Sequence, residues 1–306
     1  MRLLLQSPAP IAAWRDALAA ALPEARITVW PEVDPEPDAA LVWKPPEGLF
    51  ARVRPQRAIV NLGAGVDALL RTPDLPAHVP VVRLEDAGMA EQMAEYVTLA
   101  VLAAFREQAA YRAQQRAASW LQRPRLAKAE FVVGLLGLGV LGGAVAEALR
   151  ALAFPVAAWT RRRRPMPGIE AFAGDAELGP MLARTRVLVC MLPSSEATRG
   201  LLNQSRLSML PRGAHVVNVA RGDLVADADL LALLDEGHLA SATLDVFVDE
   251  PLPPGHAFWH HPAVTLTPHV SAATLIGPSV AQIAHKLRAL MRGEHVGGVV
   301  DRELGY

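Results

Sequence analysis

The chain has a single cysteine, Cys190, in 306 residues. An intramolecular disulfide is therefore excluded, and a reducing compartment is expected. Cys190 sits in the apolar run VLVCML, which reads as a buried structural thiol rather than a nucleophile. Net charge is equally scarce. Thirty Lys and Arg stand against 31 Asp and Glu, giving −1, which argues against a protein that holds polyanions over its whole surface. Long apolar runs are also missing. The longest stretch free of Asp, Glu, Lys, Arg and His, FVVGLLGLGVLGGAVA at 131–146, is rich in glycine and shorter than the roughly 20 residues that a spanning helix needs. The N-terminal MRLLLQSPAP has too short an apolar run for a secretion signal, whose core takes about 7 to 15 residues. The expectation is a cytoplasmic protein with no membrane partner. No repeat of fixed period is visible, and the alanines and prolines are spread along the chain rather than massed in one block.

What is present is a globular composition, 52% hydrophobic and 20% charged. The length suggests about two domains. RLLLQ, RITVW, AALVW, RAIVN and VPVVRL read as short strands, and IAAWRDALAAAL as a helix. A long helical pattern, MAEQMAEYVTLAVLAAFREQAAYRAQQ, begins near Met89. A second series follows, with strands at FVVGLL, FPVAAW, RVLVCML, AHVVNVA, LASATLDVF and AVTLTPH. Helices are read at VLGGAVAEALRALA and DADLLALLDEG, and another at roughly Gly277 to Arg292. Alternation of this kind predicts an α/β protein with parallel sheets covered on both faces.

The sharpest local signal is Gly137-Leu138-Gly139-Val140-Leu141-Gly142, which follows a predicted strand and opens a predicted helix. That is the setting of a dinucleotide-binding turn. Gly137 allows the turn, Gly139 lets the backbone approach a pyrophosphate, and Gly142 lets the helix pack closely. The helix N-terminus offers N–H groups and partial positive charge to the phosphates.

An NAD site usually ends its second strand in Asp or Glu, about 20 residues further on, to hold the ribose 2′-OH. Here that place falls at Thr160, and Arg161, Arg162, Arg163 and Arg164 follow. A carboxylate would repel a 2′-phosphate, whereas guanidiniums bind one through charge-assisted hydrogen bonds. Arg161 and Arg162 are therefore read as a socket for the NADP 2′-phosphate. Arg163 and Arg164 fit a solvated loop better, because four guanidiniums exceed what one phosphate needs. Nucleic acid is a remote alternative, since no second basic stripe supports it. The nine histidines suggest no metal site. His260 and His261 are adjacent, but no ligand set of sensible spacing surrounds them.

The strings ALVWKPP (40–46), LGAGVD (62–67), RLEDAGMAEQMAEY (83–96), GLGVLG (137–142), NVARGDLV (218–225), LDVFVDEPLPP (244–254) and TPHVSAAT (267–274) occur in this order. Together with the C-terminal VDRELGY they resemble the D-2-hydroxyacid dehydrogenases, and within them the NADPH-preferring glyoxylate/hydroxypyruvate reductase A group. The resemblance implies two flavodoxin/Rossmann-like doubly wound domains. The dinucleotide domain (98–270) is inserted into a substrate domain (1–97 plus 271–306), with the active site in a cleft between them. It implies that Arg221 grips the substrate carboxylate and keto oxygen, that His269 is the general acid, and that Glu250 is its partner. A planar guanidinium suits the coplanar acceptors of a 2-keto acid. Imidazolium can supply a proton near neutral pH.

The same resemblance places the backbone of Ala64, Gly65 and Val66 at the substrate carboxylate. It places Asp245 near the nicotinamide, and Leu192, Pro193, Ser194, Thr198 and Ala220 near the cofactor. Trp43, Arg83 and Met89 read as pocket wall, or equally as core or surface. NADPH is the expected cofactor, with NADH possible, and a homodimer is expected with the long helix after Met89 at its interface. A bulkier 2-keto acid as substrate, or a nucleotide-sensing binding protein of the same fold, remain alternatives.

Overall fold

The computed structural model describes residues 1–8 and 10–306. The chain divides into two compact units, Met1–Met89 with Thr274–Tyr306, and Ala90–Ala273.

The first unit carries β1 (Arg2–Gln6), β2 (Arg26–Val29), β3 (Ala39–Val42), β4 (Ala58–Asn61) and β5 (Val81–Arg83). They form one sheet in the order β2-β1-β3-β4-β5, and every pair is parallel. This is the flavodoxin-like order. β3 and β4 are buried at each of their four residues, as a sheet covered on both faces requires. The helices are α1 (Ile11–Ala21), α2 (Leu49–Arg52) and α3 (Asp67–Leu70). The C-terminal helix, Ile276–Met291, returns to this unit and packs on α1. Its Lys286 is 4% exposed and donates from Nζ to Arg83 O at 2.9 Å and to Glu85 at 3.2 Å.

The second unit opens with α4 (Met89–Phe105) and α5 (Gln108–Arg116). The sequence pattern suggests one helix here, but the structure breaks it at Arg106–Glu107, where Glu107 takes φ 52°. Packing explains the break. Phe105 meets Phe131 and Phe154 edge-on, at 5.1 and 5.4 Å between centroids. α5 buries no residue that would hold the chain in line. After this come β6 (Val133–Leu136), α6 (Val140–Ala151), β7 (Val156–Thr160), β8 (Glu170–Ala173), α7 (Gly174–Leu182) and β9 (Val187–Cys190). The unit ends with α8 (Gln204–Leu207), β10 (Ala214–Asn218), α9 (Asp227–Asp235), β11 (Leu239–Leu244) and β12 (Val264–Leu266).

The sheet order is β12-β11-β10-β9-β6-β7-β8, all parallel. This is the dinucleotide-binding order with one added strand, and the winding reverses between β6 and β9. Strand residues alternate between two cores. Leu136, Ala157, Trp159, Leu188 and Cys190 enter one; Val133, Leu135, Val156, Ala158, Val187 and Val189 enter the other. Cys190 stands in register with Leu136 on one side and Asn218 on the other. Burial pushes its thiol pKa up to about 12.

Candidate active site

Parallel α/β sheets bind ligands beyond the carboxyl ends of their strands. In the second unit the expected residues collect there. Gly137 follows β6, Thr160 ends β7, Leu192 and Pro193 follow β9, Ala220 and Arg221 follow β10, Asp245 follows β11 and His269 follows β12.

The turn after β6 shows why glycine is needed. Gly137 has φ +105°, and a Cβ there would lie 2.9 Å from Met191 O. A Cβ on Gly142 would lie 2.4 Å from Gly137 O. The third glycine therefore packs on the turn itself. Gly139 differs, because a Cβ there would stand in open space, and both Gly139 and Val140 are exposed. Gly139 is the N-cap of α6 and has no side chain to cap it. Exposed N–H groups at a helix start, approachable at an open glycine, fit a pyrophosphate. Leu141 is half-buried against the adjoining core.

At the end of β7, Thr160 donates from Oγ1 to Arg162 O at 2.7 Å, so it shapes its own turn. Arg161 and Arg162 are exposed. Arg163 is committed elsewhere. Its guanidinium holds Ala171 O at 2.5 Å and both oxygens of Glu177, one of them at 2.6 Å. It pins the loop to α7 and is not free for a ligand.

The segment after β9 closes on Thr198, whose hydroxyl donates to Pro193 O at 2.7 Å and accepts from Ser195 N at 2.9 Å. Ser194 donates to Asp223 Oδ2 at 2.6 Å, tying this loop to the turn that bears Arg221. Leu192 packs against the core.

That turn is locked by Asn218, which is 1% exposed. Its side chain accepts from Ala220 N at 3.1 Å and donates to Arg221 O at 2.9 Å. Arg221 Nη1 donates to Ala220 O at 2.6 Å. A Cβ on Gly222 would lie 2.0 Å from the carbonyl carbon of Phe247, so the Arg221 turn lies directly on the backbone that leads to Glu250. Glu250 Oε1 accepts from Phe247 N at 3.1 Å, and its Oε2 meets His269 Nδ1 at 2.8 Å. Arg221, Glu250 and His269 are thus joined through one run of contacts.

His269 takes φ 55°, a left-handed conformation that strains any residue with a Cβ. Its N–H donates to Asp245 O at 2.8 Å. Asp245 is fully buried, and its carboxylate accepts from Thr267 Oγ1 at 2.5 Å, Val270 N at 2.8 Å and Ser271 N at 2.8 Å. Its oxygens are used on the His269 loop, which sequence reasoning did not foresee. Tyr96, Asn218 and Gly222 were missed as well. Their partners lie far off in sequence or are backbone atoms, and no spacing rule reports either.

In the first unit, the turn after β4 is held by Asn61, whose Nδ2 donates to Gly63 O at 2.8 Å and Gly65 O at 2.9 Å. A Cβ on Gly63 would meet the Trp43 ring at 2.3 Å, so the ring packs tightly against this glycine. Ala64 and Gly65 are half-exposed. The Val66 and Met89 side chains are 3% exposed, and Val66 joins the core. Arg83 is half-buried and donates to Leu84 O at 3.4 Å.

Among the described residues, no group of three or more His, Cys, Asp or Glu could hold a metal ion. No helix among them is long and apolar enough to cross a membrane.

Residues 98–271 match the family described as D-isomer specific 2-hydroxyacid dehydrogenase, NAD binding domain. The chain is also similar to solved structures over its whole length. One is a D-isomer specific 2-hydroxyacid dehydrogenase from Xanthobacter autotrophicus Py2 in complex with NADPH and MES. It is 42% identical with a TM-score of 0.95, covering 100% of this chain and 99% of that one. Another is an NADPH-dependent glyoxylate/hydroxypyruvate reductase from Sinorhizobium meliloti in complex with NADP and sulfate, 34% identical with a TM-score of 0.93 and the same coverage. A third is a probable 2-hydroxyacid dehydrogenase from Rhizobium etli CFN 42 in complex with NADP, HEPES and L(+)-tartaric acid. It is 30% identical with a TM-score of 0.92, again with the same coverage. The chain belongs to the D-isomer specific 2-hydroxyacid dehydrogenase family. It is an NAD(P)H-dependent oxidoreductase of a family that acts on small 2-hydroxy and 2-keto acids.

Proposed function

We propose that this enzyme reduces small 2-keto acids with NADPH as the preferred donor, taking glyoxylate to glycolate and hydroxypyruvate to D-glycerate. The observation that carries this reading is the His269 Nδ1–Glu250 Oε2 contact of 2.8 Å, joined to the Arg221 turn through Phe247 and Gly222.

NADPH, when bound, supplies the hydride. The chain's own residues do the rest. Glu250 occupies Nδ1 of His269, which leaves Nε2 to give its proton to the carbonyl oxygen as the alcohol forms. Arg221 holds the substrate carboxylate through paired N–H donors. The backbone at Ala64, Gly65 and Val66 is assigned to the same anion. The turn at Gly137, Gly139, Val140, Leu141 and Gly142 holds the pyrophosphate, with Leu192, Pro193, Thr198 and Ala220 bordering the cofactor. Trp43 and Met89 are assigned to the substrate side. Asp245 acts on the cofactor side through the loop that it holds. Arg161 and Arg162 bind the 2′-phosphate. The absence of a carboxylate at Thr160 supports this, as do relatives of 42%, 34% and 30% identity solved with NADPH or NADP.

A cytoplasmic homodimer completes the proposal. Leu99, Trp120 and Leu121 are 69%, 95% and 66% exposed and offer an apolar surface to a second copy.

The test is a set of initial rates on glyoxylate and hydroxypyruvate with NADPH and NADH, for the wild type and for Arg161→Ala/Arg162→Ala. The expected result is an NADPH preference that collapses in the variant, mainly through cofactor KM. Equal use of both cofactors would return the arginines to a solvated loop. Tight cofactor binding without turnover on any keto acid would favour a nucleotide sensor.

A further inference from the structure

His269 is held in a left-handed conformation by contacts that converge on Asp245. An ionised carboxylate only accepts hydrogen bonds, so the 2.5 Å contact makes Thr267 Oγ1 the donor to Asp245. A hydroxyl has one proton. The 2.6 Å contact between Tyr96 OH and Thr267 Oγ1 is then donated by the phenol. Burial raises the Tyr96 pKa, the Thr267 hydrogen bond works against this and the Asp245 charge adds to it; the net shift is upward, so the phenol keeps the proton it donates. The direction of the chain is fixed: Tyr96 to Thr267 to Asp245, whose carbonyl takes the N–H of His269.

Tyr96 lies on α4, and so does Gln92 one turn earlier, on the same face. Gln92 pairs with the backbone of Ala273 in both directions, at 3.0 and 3.1 Å. One helix therefore grips both ends of the 267–273 segment that carries His269.

We propose that Tyr96 is a positioning residue for His269, acting through Thr267 and Asp245; this rests on the reading of His269 as the proton donor. Tyr96 touches neither His269 nor its partner Glu250 in this chain of contacts. Its role is to keep the strained turn from relaxing. A small displacement of a proton donor lowers turnover more than it lowers ground-state binding.

The test compares Tyr96→Phe, Thr267→Val, the double variant and Thr267→Ser, with His269→Ala in parallel. Steady-state rates are measured on glyoxylate with NADPH, and NADPH Kd by fluorescence. Tyr96→Phe should lower kcat about tenfold, the worth of one hydrogen bond, with NADPH Kd within about twofold. Thr267→Val should cost at least as much, and the double variant no more than Thr267→Val alone. Thr267→Ser, which keeps the hydroxyl, should recover most of that loss. Wild-type kcat in Tyr96→Phe, additive losses in the double variant, or a loss that falls on NADPH Kd would each overturn the proposal. If Tyr96→Phe loses its thermal transition, the Thr267→Val and Thr267→Ser pair decides by the same split. Survival of turnover in His269→Ala sinks the proton-donor reading itself. A dead His269→Ala beside an unimpaired Tyr96→Phe sinks only the role of Tyr96.

Discussion

Each unit contains a strand that runs into a glycine turn and then a helix, and the two turns are built on different supports. After β4, Gly63 packs against the ring of Trp43, and the turn hangs from the side chain of Asn61. After β6, Gly137 and Gly142 are pressed against carbonyl oxygens. One turn is shaped by side chains that can move. The other is shaped by backbone, which cannot move without disturbing the sheet. The helices differ in the same sense: α3 has four residues and α6 has twelve. The same string of residue types can therefore encode an adjustable turn or a fixed one.

The largest test of this difference is Gly142→Ala. Its Cβ would stand 2.4 Å from Gly137 O, with no flexible atom to yield. We expect a loss of about 3 kcal/mol, the upper range for overpacking, together with lost NADPH binding. Urea unfolding and cofactor titration read both.

Acid extends the comparison to the sheets. Burial, then the charge of Arg186, lowers the pKa of His215 in β10 from 6.5 to about 4. Between those values the unfolded chain holds a proton that the native chain does not, so stability falls as pH drops from 6.5 towards 4. The full loss is about 3 kcal/mol. Urea midpoints across that range should show it, and His215→Gln should flatten the curve.

Asn61→Ala removes both ties of the first turn, and we expect a cost of about 2 kcal/mol. Gly63→Ala should cost about 1 to 2 kcal/mol, because the clash is with a side chain. The companion change Trp43→Leu should relieve it. If Trp43→Leu gives no relief, the first turn is as rigid as the second and the contrast fails. The smallest effect on stability belongs to Gly139→Ala, whose Cβ meets open space. Its melting temperature should not move, while the KM for NADPH rises about tenfold from crowding of the phosphate.

Much of this fold was legible because long apolar strands and a turn with a steric reason for each glycine leave few alternatives. The parallel class, the Gly137–Gly142 turn and the C-terminal helix followed from pattern. β8 did not. Its four residues, EAFA, are exposed or half-buried at the sheet edge and carry no alternation. The break after Phe105 also escaped, since a helical sequence without glycine or proline gives no local warning, and the cause is an aromatic cluster closed by Phe131 and Phe154. Within the candidate site, the resemblance to the family named Arg221, Glu250 and His269. They could not name Tyr96 or Asn218, whose meaning lies in which atoms they reach. The pairing of Arg163 with Glu177, fourteen residues away, was equally invisible.

The position of Cys190 has a practical consequence. Its strand is paired on both sides, its sulfur is buried in the core, and burial pushes the thiol pKa up to about 12. Peroxide and maleimide, which attack thiolate, find none on the native surface. The enzyme should keep its activity in air without added reductant. Its one thiol becomes a clock instead: the rate at which it takes up label counts how often the central sheet opens.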